Sequence, residues 1–319
     1  MINHKVAILD LGTNTFHMIV TELLYDGYRV IHREKISVKI GQGGISQGYI
    51  TNAAIKRALK AMVHFKAVCD KLGVHETHAN ATSAFRNAQN GLEVAFRIER
   101  LTGIKVNIIS GDREAQLIYQ GVKRALRIGN ATSMILDIGG GSNEFIICNE
   151  QRIFWKRSFE IGAQRLLDKF HKSEPISLFE KQALEIFLHK ELEPLYRAIK
   201  RYQPSVLIGS SGSFDTLGEI SRQQLKINKL PGQTEYTLPL MQFFEIHHQI
   251  ICKNKVERLA IPGMIEMRVD MIVVASILIN FVVNSFNFEK IRISGYSLKE
   301  GILNDILNKV YYNQPIPEF

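Results

Sequence analysis

The sequence predicts an α/β protein with two similar domains and a cleft between them. The main observation is a pattern that occurs twice, as AILDLGTNTFHMIV from Ala7 to Val20 and as MILDIGGGSNEFIIC from Met134 to Cys148. Each copy has an apolar run, an Asp, a stretch of Gly, Thr or Ser and a second apolar run, which is typical of a strand, a tight turn and a strand. A second observation is that strand-like and helix-like segments alternate after each copy, which indicates the α/β class.

The length and composition agree with two globular domains. The chain has 319 residues, of which 45% are hydrophobic, and this is long for one compact core. The 40 Lys and Arg residues outnumber the 31 Asp and Glu residues and give a net charge of +9. That charge favours a polyanionic partner such as nucleic acid, a phospholipid surface or polyphosphate, although many soluble proteins are basic without one.

Cysteine use and hydropathy predict a cytoplasmic protein. The three cysteines, Cys69, Cys148 and Cys252, are far apart and odd in number, which argues against a disulfide framework and against a Cys-based metal site. We expect no signal peptide, because charged residues interrupt the first apolar stretch. The longest apolar run, Met271 to Val283, is too short for a membrane span and predicts a buried helix.

The first half of the chain predicts a small sheet with helices. An antiparallel series of strands is expected from Lys5 to about Lys39, followed by a glycine-rich loop from Gly41 to Gly48. Thr51 is expected to cap a helix that ends before Gly73. The remaining predicted elements are strands over 77–82 and 106–109 and helices over about 87–102 and 113–127.

The second half repeats this order from Ser133 onward. The predicted elements are strands, one long helix over 177–201, a strand over 206–208, a loop of small residues over 209–213, an irregular loop over 223–236, the buried helix, a strand over 290–293 and a final turn and helix. We place the domains at 1–128 and 129–299, with the boundary at Gly129. The final helix, over about 300–319, is expected to pack back on the first domain.

The two turns are candidates for phosphate binding. Glycine allows backbone angles at which N–H groups converge on an anion, and Thr or Ser hydroxyls add further donors. The candidates in both copies are Asp10, Gly12, Thr13, Asn14, Thr15, Gly139, Gly140, Gly141 and Ser142. Because the pattern is duplicated, we expect two domains that grip one phosphorylated ligand.

Two carboxylates flank the second turn and are candidates for a metal site. Asp137 and Glu144 stand before and after the glycines, so a hairpin would return both to one edge of the turn. Mg²⁺ prefers one or two carboxylates and completes its shell with water and phosphate oxygens. The alternatives are a turn-capping role for Asp137 and a solvated strand position for Glu144.

Three segments together resemble the exopolyphosphatase and guanosine pentaphosphate phosphohydrolase (Ppx/GppA) family: DLGTNTFH at 10–17, SGDREAQLIY at 110–119 and DIGGGSNE at 137–144. The resemblance implies two actin-like (ribonuclease H-like) domains and hydrolysis of the terminal phosphoanhydride of inorganic polyphosphate, with guanosine pentaphosphate as a second substrate. It also implies Mg²⁺ or Mn²⁺ as cofactor and a homodimer, without a nucleic-acid or membrane partner. Long members continue into a helical domain, so we expect a short form.

The resemblance also implies the catalytic residues. Glu114, which we expect in the first turn of a helix, matches the proposed base that orients the attacking water, although an acid there is favourable through the helix dipole alone. Arg86 matches an arginine that reaches the substrate phosphate, which a guanidinium fork suits. Ser211 and Gly212 resemble a loop that approaches the ligand, and an ordinary strand-to-helix turn has equal weight there.

The sequence also leaves other functions open. One alternative is a phosphotransferase or general nucleotide phosphatase on the same scaffold. Another is a weakly catalytic or non-catalytic sensor that binds polyphosphate or guanosine tetraphosphate. The presence of Glu114 with both acidic turn positions disfavours a sensor, because binding alone needs no carboxylate that activates water.

Overall fold

The structure, a computed structural model, describes residues 4–25 and 27–312 and contains two mixed β-sheets with helices packed against them. Two compact units divide the chain. Unit 1 comprises the described residues up to Leu117 and those from Leu298 onward, and unit 2 is Ile118–Ser297. The predicted α/β class with a duplicated sheet is confirmed.

Unit 1 contains a five-stranded sheet in the order β3-β2-β1-β4-β5. The first three strands are antiparallel, as predicted, whereas β4 and β5 continue the sheet in parallel with β1. The strand bounds are β1 His4–Leu11, β2 Thr15–Leu24, β3 Gly27–Ser37, β4 Glu76–Ala81 and β5 Val106–Ile108.

Five α-helices begin in or belong to unit 1: α1 Asn52–Leu72, α2 Ser83–Asn87, α3 Gly91–Thr102, α4 Gly111–Ala125 and α12 Leu298–Tyr312. The prediction for α1 is confirmed, because the Thr51 side chain accepts a hydrogen bond from the Ala54 N–H and Gly73 ends the helix in a left-handed conformation. The helix predicted over about 87–102 is α3, which begins at Gly91, and the short helix α2 before it was not predicted. The chain turns between α2 and α3 so tightly that a Cβ on Gly91 would lie 1.9 Å from the Phe85 carbonyl oxygen.

Unit 2 repeats the topology of unit 1 and adds one strand. Its six-stranded sheet has the order β10-β11-β9-β6-β7-β8. Strands β6, β9 and β11 are parallel, whereas β7, β8 and β10 are antiparallel to their neighbours. The strand bounds are β6 Ser133–Ile138, β7 Asn143–Cys148, β8 Ile153–Phe159, β9 Val206–Ser210, β10 Glu235–Leu238 and β11 Lys290–Ser294. The loop predicted over 223–236 is therefore too long, since β10 begins at Glu235.

The helices of unit 2 are α5 Ala163–Phe170, α6 Leu178–Glu191, α7 Glu193–Tyr202, α8 Ser211–Leu225, α9 Leu240–Cys252, α10 Lys255–Leu259 and α11 Met271–Ser285. The long helix predicted over 177–201 is wrong. It is interrupted at Leu192, because Pro194 has no N–H and its ring would clash with a carbonyl of the preceding turn.

Helix α11 is buried, as predicted. In the part of the chain that the structure describes, no helix combines the length and the apolar character needed to cross a membrane.

The division between the units lies within α4, after Leu117, and between Ser297 and Leu298. The predicted boundary at Gly129 and the predicted cleft stay predictions. Helix α12 belongs to unit 1 and packs against β1. Residues 313–319 of the predicted final helix lie outside the described residues.

His247 on α9 gives the stability of unit 2 a pH dependence. Its imidazole is buried and its Nδ1 lies 3.2 Å from the Ser276 hydroxyl, whereas the neighbouring His248 is exposed. Burial, with a smaller contribution from the charge of Lys181, lowers the pKa of His247 to about 4. The unfolded chain binds a proton at this histidine near pH 6.5, so we expect unfolding free energy to fall by about 3 kcal/mol between pH 6.5 and 4.

Urea unfolding of the unsubstituted protein and of His247→Gln, each at pH 7 and at pH 4.5, measures this loss of unfolding free energy. The glutamine keeps a polar atom for Ser276 but does not titrate, so the variant should lose less stability on acidification. Equal losses in the two proteins would contradict the prediction.

Candidate active site

The first glycine-containing turn, residues 12–14, has its carbonyl groups held by the segment that follows β3. The Lys39 N–H donates to the Asn14 carbonyl at 2.8 Å and the Gly41 N–H donates to the Thr13 carbonyl at 3.1 Å. In a planar trans peptide the C=O of one residue and the N–H of the next point in opposite directions. The N–H groups of Asn14 and Thr15 therefore point away from the segment that holds the turn.

The second turn, residues 139–142, is held in the same way by the start of α5. The carbonyls of Gly139, Gly140 and Gly141 accept hydrogen bonds, at 2.9, 2.9 and 3.0 Å, from the N–H groups of Ala163, Gln164 and Gly162 respectively. The N–H groups of Gly140, Gly141 and Ser142 consequently point away from α5. Gly162 is needed for this packing, because a Cβ there would lie 2.4 Å from the carbonyl carbons of Gly140 and Gly141.

Both turns therefore direct successive N–H groups to the side opposite their anchored carbonyls. Successive N–H groups of this kind form anion-binding concavities. The hydroxyl-bearing residues Thr13, Thr15 and Ser142 are buried in the turns. This arrangement supports phosphate binding by both turns, which stays a prediction.

The two acidic candidates of unit 2 lie side by side on the sheet. Asp137 and Glu144 are directly opposite each other in the antiparallel pair β6–β7, just as Asp10 and His17 are in β1–β2. Side chains at such positions lie on the same face with Cβ atoms roughly 5 Å apart. Both acidic residues are buried, so the alternative of a solvated Glu144 is wrong. Glu144 Oε1 accepts a hydrogen bond from the Ser158 hydroxyl at 2.7 Å.

The Asp137 carboxylate accepts hydrogen bonds from three serine hydroxyls. Ser210 donates at 2.6 Å, Ser211 at 2.7 and 2.8 Å to the two oxygens, and Ser297 donates to Oδ2.

The predicted loop over 209–213 is wrong, because β9 runs directly into α8 at this point. Ser211 is placed by an unusual backbone, with φ of 71°, a left-handed conformation that costs a non-glycine residue about 1 kcal/mol or more.

The oxygen ligands around Asp137 suit a hard cation. Among residues 4–25 and 27–312, no group of three or more His, Cys, Asp and Glu side chains is arranged to hold a metal ion. Mg²⁺ does not need such a group, because it takes one or two carboxylates and keeps several waters. Two carboxylates on one face of β6–β7, with hydroxyls around Asp137, fit this preference. The assignment of Asp137 and Glu144 as metal ligands stays a prediction.

In unit 1 the structure brings the two predicted catalytic residues into direct contact. Arg86 on α2 and Glu114 in the first turn of α4 form an ion pair at 2.9 Å, and both are largely buried. The same Arg86 nitrogen donates to the Ile109 carbonyl at 3.1 Å, at the end of β5. A guanidinium has five N–H donors in a planar fork, a geometry that suits both carboxylate and phosphate oxygens.

Arg268 is a candidate residue that the sequence reasoning missed. Its guanidinium lies against Gly212 so closely that a Cβ there would be 2.3 Å from a guanidinium nitrogen. Burial lowers the pKa of Arg268, while the charges of Asp215 and Asp137 act in the opposite direction. Gly212 is therefore explained here by a packing requirement, and its predicted contact with phosphate stays a prediction.

Two serines that contact the carboxylates were also missed. Ser158 contacts Glu144 and Ser297 contacts Asp137, yet neither stands out in the sequence as a ligand or a nucleophile. Ser297 ends the segment SGYS, from which no role follows. These contacts depend on the fold and join residues far apart in the chain.

The chain is similar over most of its length to known proteins. The model of the Ppx/GppA phosphatase family matches residues 20–310. The chain is 25% identical over 305 residues to the guanosine-5'-triphosphate,3'-diphosphate pyrophosphatase of Pseudoalteromonas translucida (strain TAC 125), covering 96% of this chain and 60% of that protein. The chain thus spans less than two thirds of the length of this relative.

Solved structures show the same fold. The crystal structure of an exopolyphosphatase from Cytophaga hutchinsonii ATCC 33406 is 41% identical, with a TM-score of 0.92 and coverage of 96% of this chain and 98% of the other. A family member from Aquifex aeolicus is 21% identical with a TM-score of 0.79, covering 97% and 99%. The predicted class, α/β with two actin-like domains, is confirmed.

Proposed function

Because the chain belongs to the Ppx/GppA phosphatase family, we propose that it is an exopolyphosphatase. It hydrolyses the terminal phosphoanhydride of inorganic polyphosphate and releases orthophosphate, and guanosine pentaphosphate is the second candidate substrate. The observation that carries the proposal is the buried carboxylate of Glu114, which Arg86 fixes at the start of α4. The name of the Pseudoalteromonas relative supports the guanosine substrate, and that of the Cytophaga protein supports polyphosphate.

In unit 1, Glu114 orients the attacking water and accepts its proton. A carboxylate that performs this task contributes roughly 10²- to 10⁴-fold in rate. Arg86 keeps the Glu114 carboxylate in one orientation through the 2.9 Å ion pair and contributes N–H groups to the phosphate that develops charge. The turn with Asp10, Gly12, Thr13, Asn14 and Thr15 holds a phosphate group through its N–H and hydroxyl donors.

In unit 2, Asp137 and Glu144 would hold Mg²⁺ or Mn²⁺, which prefers one or two carboxylates together with water. The bound ion would neutralise charge on the phosphate oxygens. Gly139, Gly140, Gly141 and Ser142 present N–H groups to a phosphate, and the serines around Asp137 keep its carboxylate in place. The N–H groups of the turn suit an anionic group, which supports a polyanionic substrate.

The test is phosphate release, in parallel, from short polyphosphate, long polyphosphate, guanosine pentaphosphate and ATP, with Mg²⁺ and with Mn²⁺. We expect release from polyphosphate that chelation with EDTA abolishes, and the ratio of kcat/KM values ranks the substrates. ATP consumed only with an added acceptor would point to a phosphotransferase. Binding of polyphosphate or guanosine tetraphosphate without release of phosphate would contradict the proposal and indicate a sensor.

A further inference from the structure

Helices α4 and α12 of unit 1 touch through their backbones. A Cβ built on Gly301 of α12 would lie 1.9 Å from the Leu117 carbonyl oxygen of α4. Only glycine allows this approach, because any side chain would push the helices apart. Leu117 is less than one turn after Glu114 on the same helix, so the contact is made next to the proposed base.

A second contact between these helices lies one turn further along. Arg113 of α4 donates a hydrogen bond to the Asp305 carboxylate of α12, and the two side chains are 22% and 14% exposed. Arg113 precedes Leu117 by one turn, whereas Asp305 follows Gly301 by one turn. The helices therefore run in opposite directions at the crossing, and two contacts one turn apart fix both the position and the rotation of the start of α4.

Helix α12 is itself anchored to the sheet of unit 1. It packs against β1, the strand that carries Asp10. Near its other end, the Tyr311 hydroxyl donates to the carbonyls of Leu24 and Gly27, which belong to the β2–β3 hairpin. A helix that is held by β1 and by Tyr311 can transmit the position of the sheet to the start of α4.

We propose that the Arg113–Asp305 ion pair is a positioning device that sets the orientation of Glu114. Arg113 is the residue directly before Glu114, so a rotation of the first turn of α4 moves the Glu114 carboxylate relative to Arg86. The inference rests on the proposed function, because it assigns these residues to the step in which Glu114 orients water. The ion pair acts through Glu114 and does not itself contact the substrate.

We expect the fold to survive the loss of this ion pair. Burial raises the pKa of the Asp305 carboxyl, although the charge of Arg113 acts in the opposite direction. Keeping this carboxylate ionised therefore costs free energy of desolvation. Asp305→Asn removes that cost together with the ion pair, keeps the volume and leaves an acceptor oxygen. Arg113 is partly exposed and can then reach water.

The experiment compares Asp305→Asn, Arg113→Gln and the charge exchange of Arg113→Asp with Asp305→Arg. We expect each single variant to lose roughly 10- to 100-fold in kcat, because a small misplacement of a catalytic group has effects of this size. KM and the melting temperature should change little, and the charge exchange should recover at least part of the lost kcat. The matched control is Glu185→Gln, which breaks the partly buried Lys181–Glu185 pair of unit 2, at 2.7 Å, and should leave kcat unchanged.

Two outcomes would overturn the positioning role. One is a kcat of Asp305→Asn equal to that of the unsubstituted protein. The other is a loss of kcat that follows a loss of folded protein in circular dichroism and that the charge exchange does not recover. Failure of the proposed function is a separate result, because the unsubstituted protein itself would then release no phosphate.

Discussion

Replacing Glu114 with glutamine is expected to lower kcat for phosphate release by roughly 10²- to 10⁴-fold. Glutamine has nearly the volume of glutamate and its carbonyl oxygen can still accept a hydrogen bond from Arg86, so the start of α4 should keep its structure. It cannot accept a proton from water, however. Binding of polyphosphate, measured by calorimetry with Mg²⁺, should therefore persist while turnover is lost.

Glu93→Gln is the matched control. Glu93 also lies in the first turn of a helix of unit 1, but it is exposed on α3. This variant should keep both turnover and binding, which separates the effect of a base from that of a charge near a helix N-terminus. Turnover that persists in a correctly folded Glu114→Gln protein would remove Glu114 from the mechanism.

Replacing Asp137 with asparagine is expected to lower kcat by about 10²-fold or more and to raise the Mg²⁺ concentration needed for half-maximal rate. The substitution keeps the shape of the side chain, but it removes a negative charge from the proposed ligand set, and a metal ion supplies several kcal/mol of charge stabilisation in the transition state. A titration of rate against Mg²⁺ concentration measures both changes. The serines can reorient their hydroxyls toward the amide, so the fold should persist.

Asp168→Asn serves as the comparison for this variant. Asp168 is a partly exposed aspartate of α5 that accepts a hydrogen bond from the Gln164 amide at 2.8 Å, in the same unit. Its replacement should leave the Mg²⁺ titration unchanged. If Asp137→Asn gave the same titration curve as the unsubstituted protein, a metal role for Asp137 would be excluded.

The sequence predicted most of the fold because the relevant signals are local. Apolar runs on either side of a small-residue turn indicate a hairpin, and the Thr51 cap with Gly73 defines α1. The errors also have local causes. Pro194 divides one predicted helix, and the four residues of β10 are too few to show a clear alternation.

The candidate site was predictable only in its main-chain turns and its acidic residues. Asp137 and Glu144 were found because a hairpin brings them together within a short stretch of sequence. Ser297 contacts Asp137 from 160 positions away, and Arg113 meets Asp305 across 192. Such pairs depend on how helices and strands pack, which no local pattern encodes.

The anchored carbonyls of the two turns have a consequence for how binding responds to acidity. Main-chain N–H groups carry no proton that titrates near neutral pH, so the donors of residues 14–15 and 140–142 keep the same charge distribution from acidic to alkaline solution. Their orientation is fixed by hydrogen bonds to neighbouring main chain rather than to side chains that ionise. These turns therefore provide an attraction for an anion that does not change with pH, and any change of activity with pH arises from other groups or from the phosphate itself.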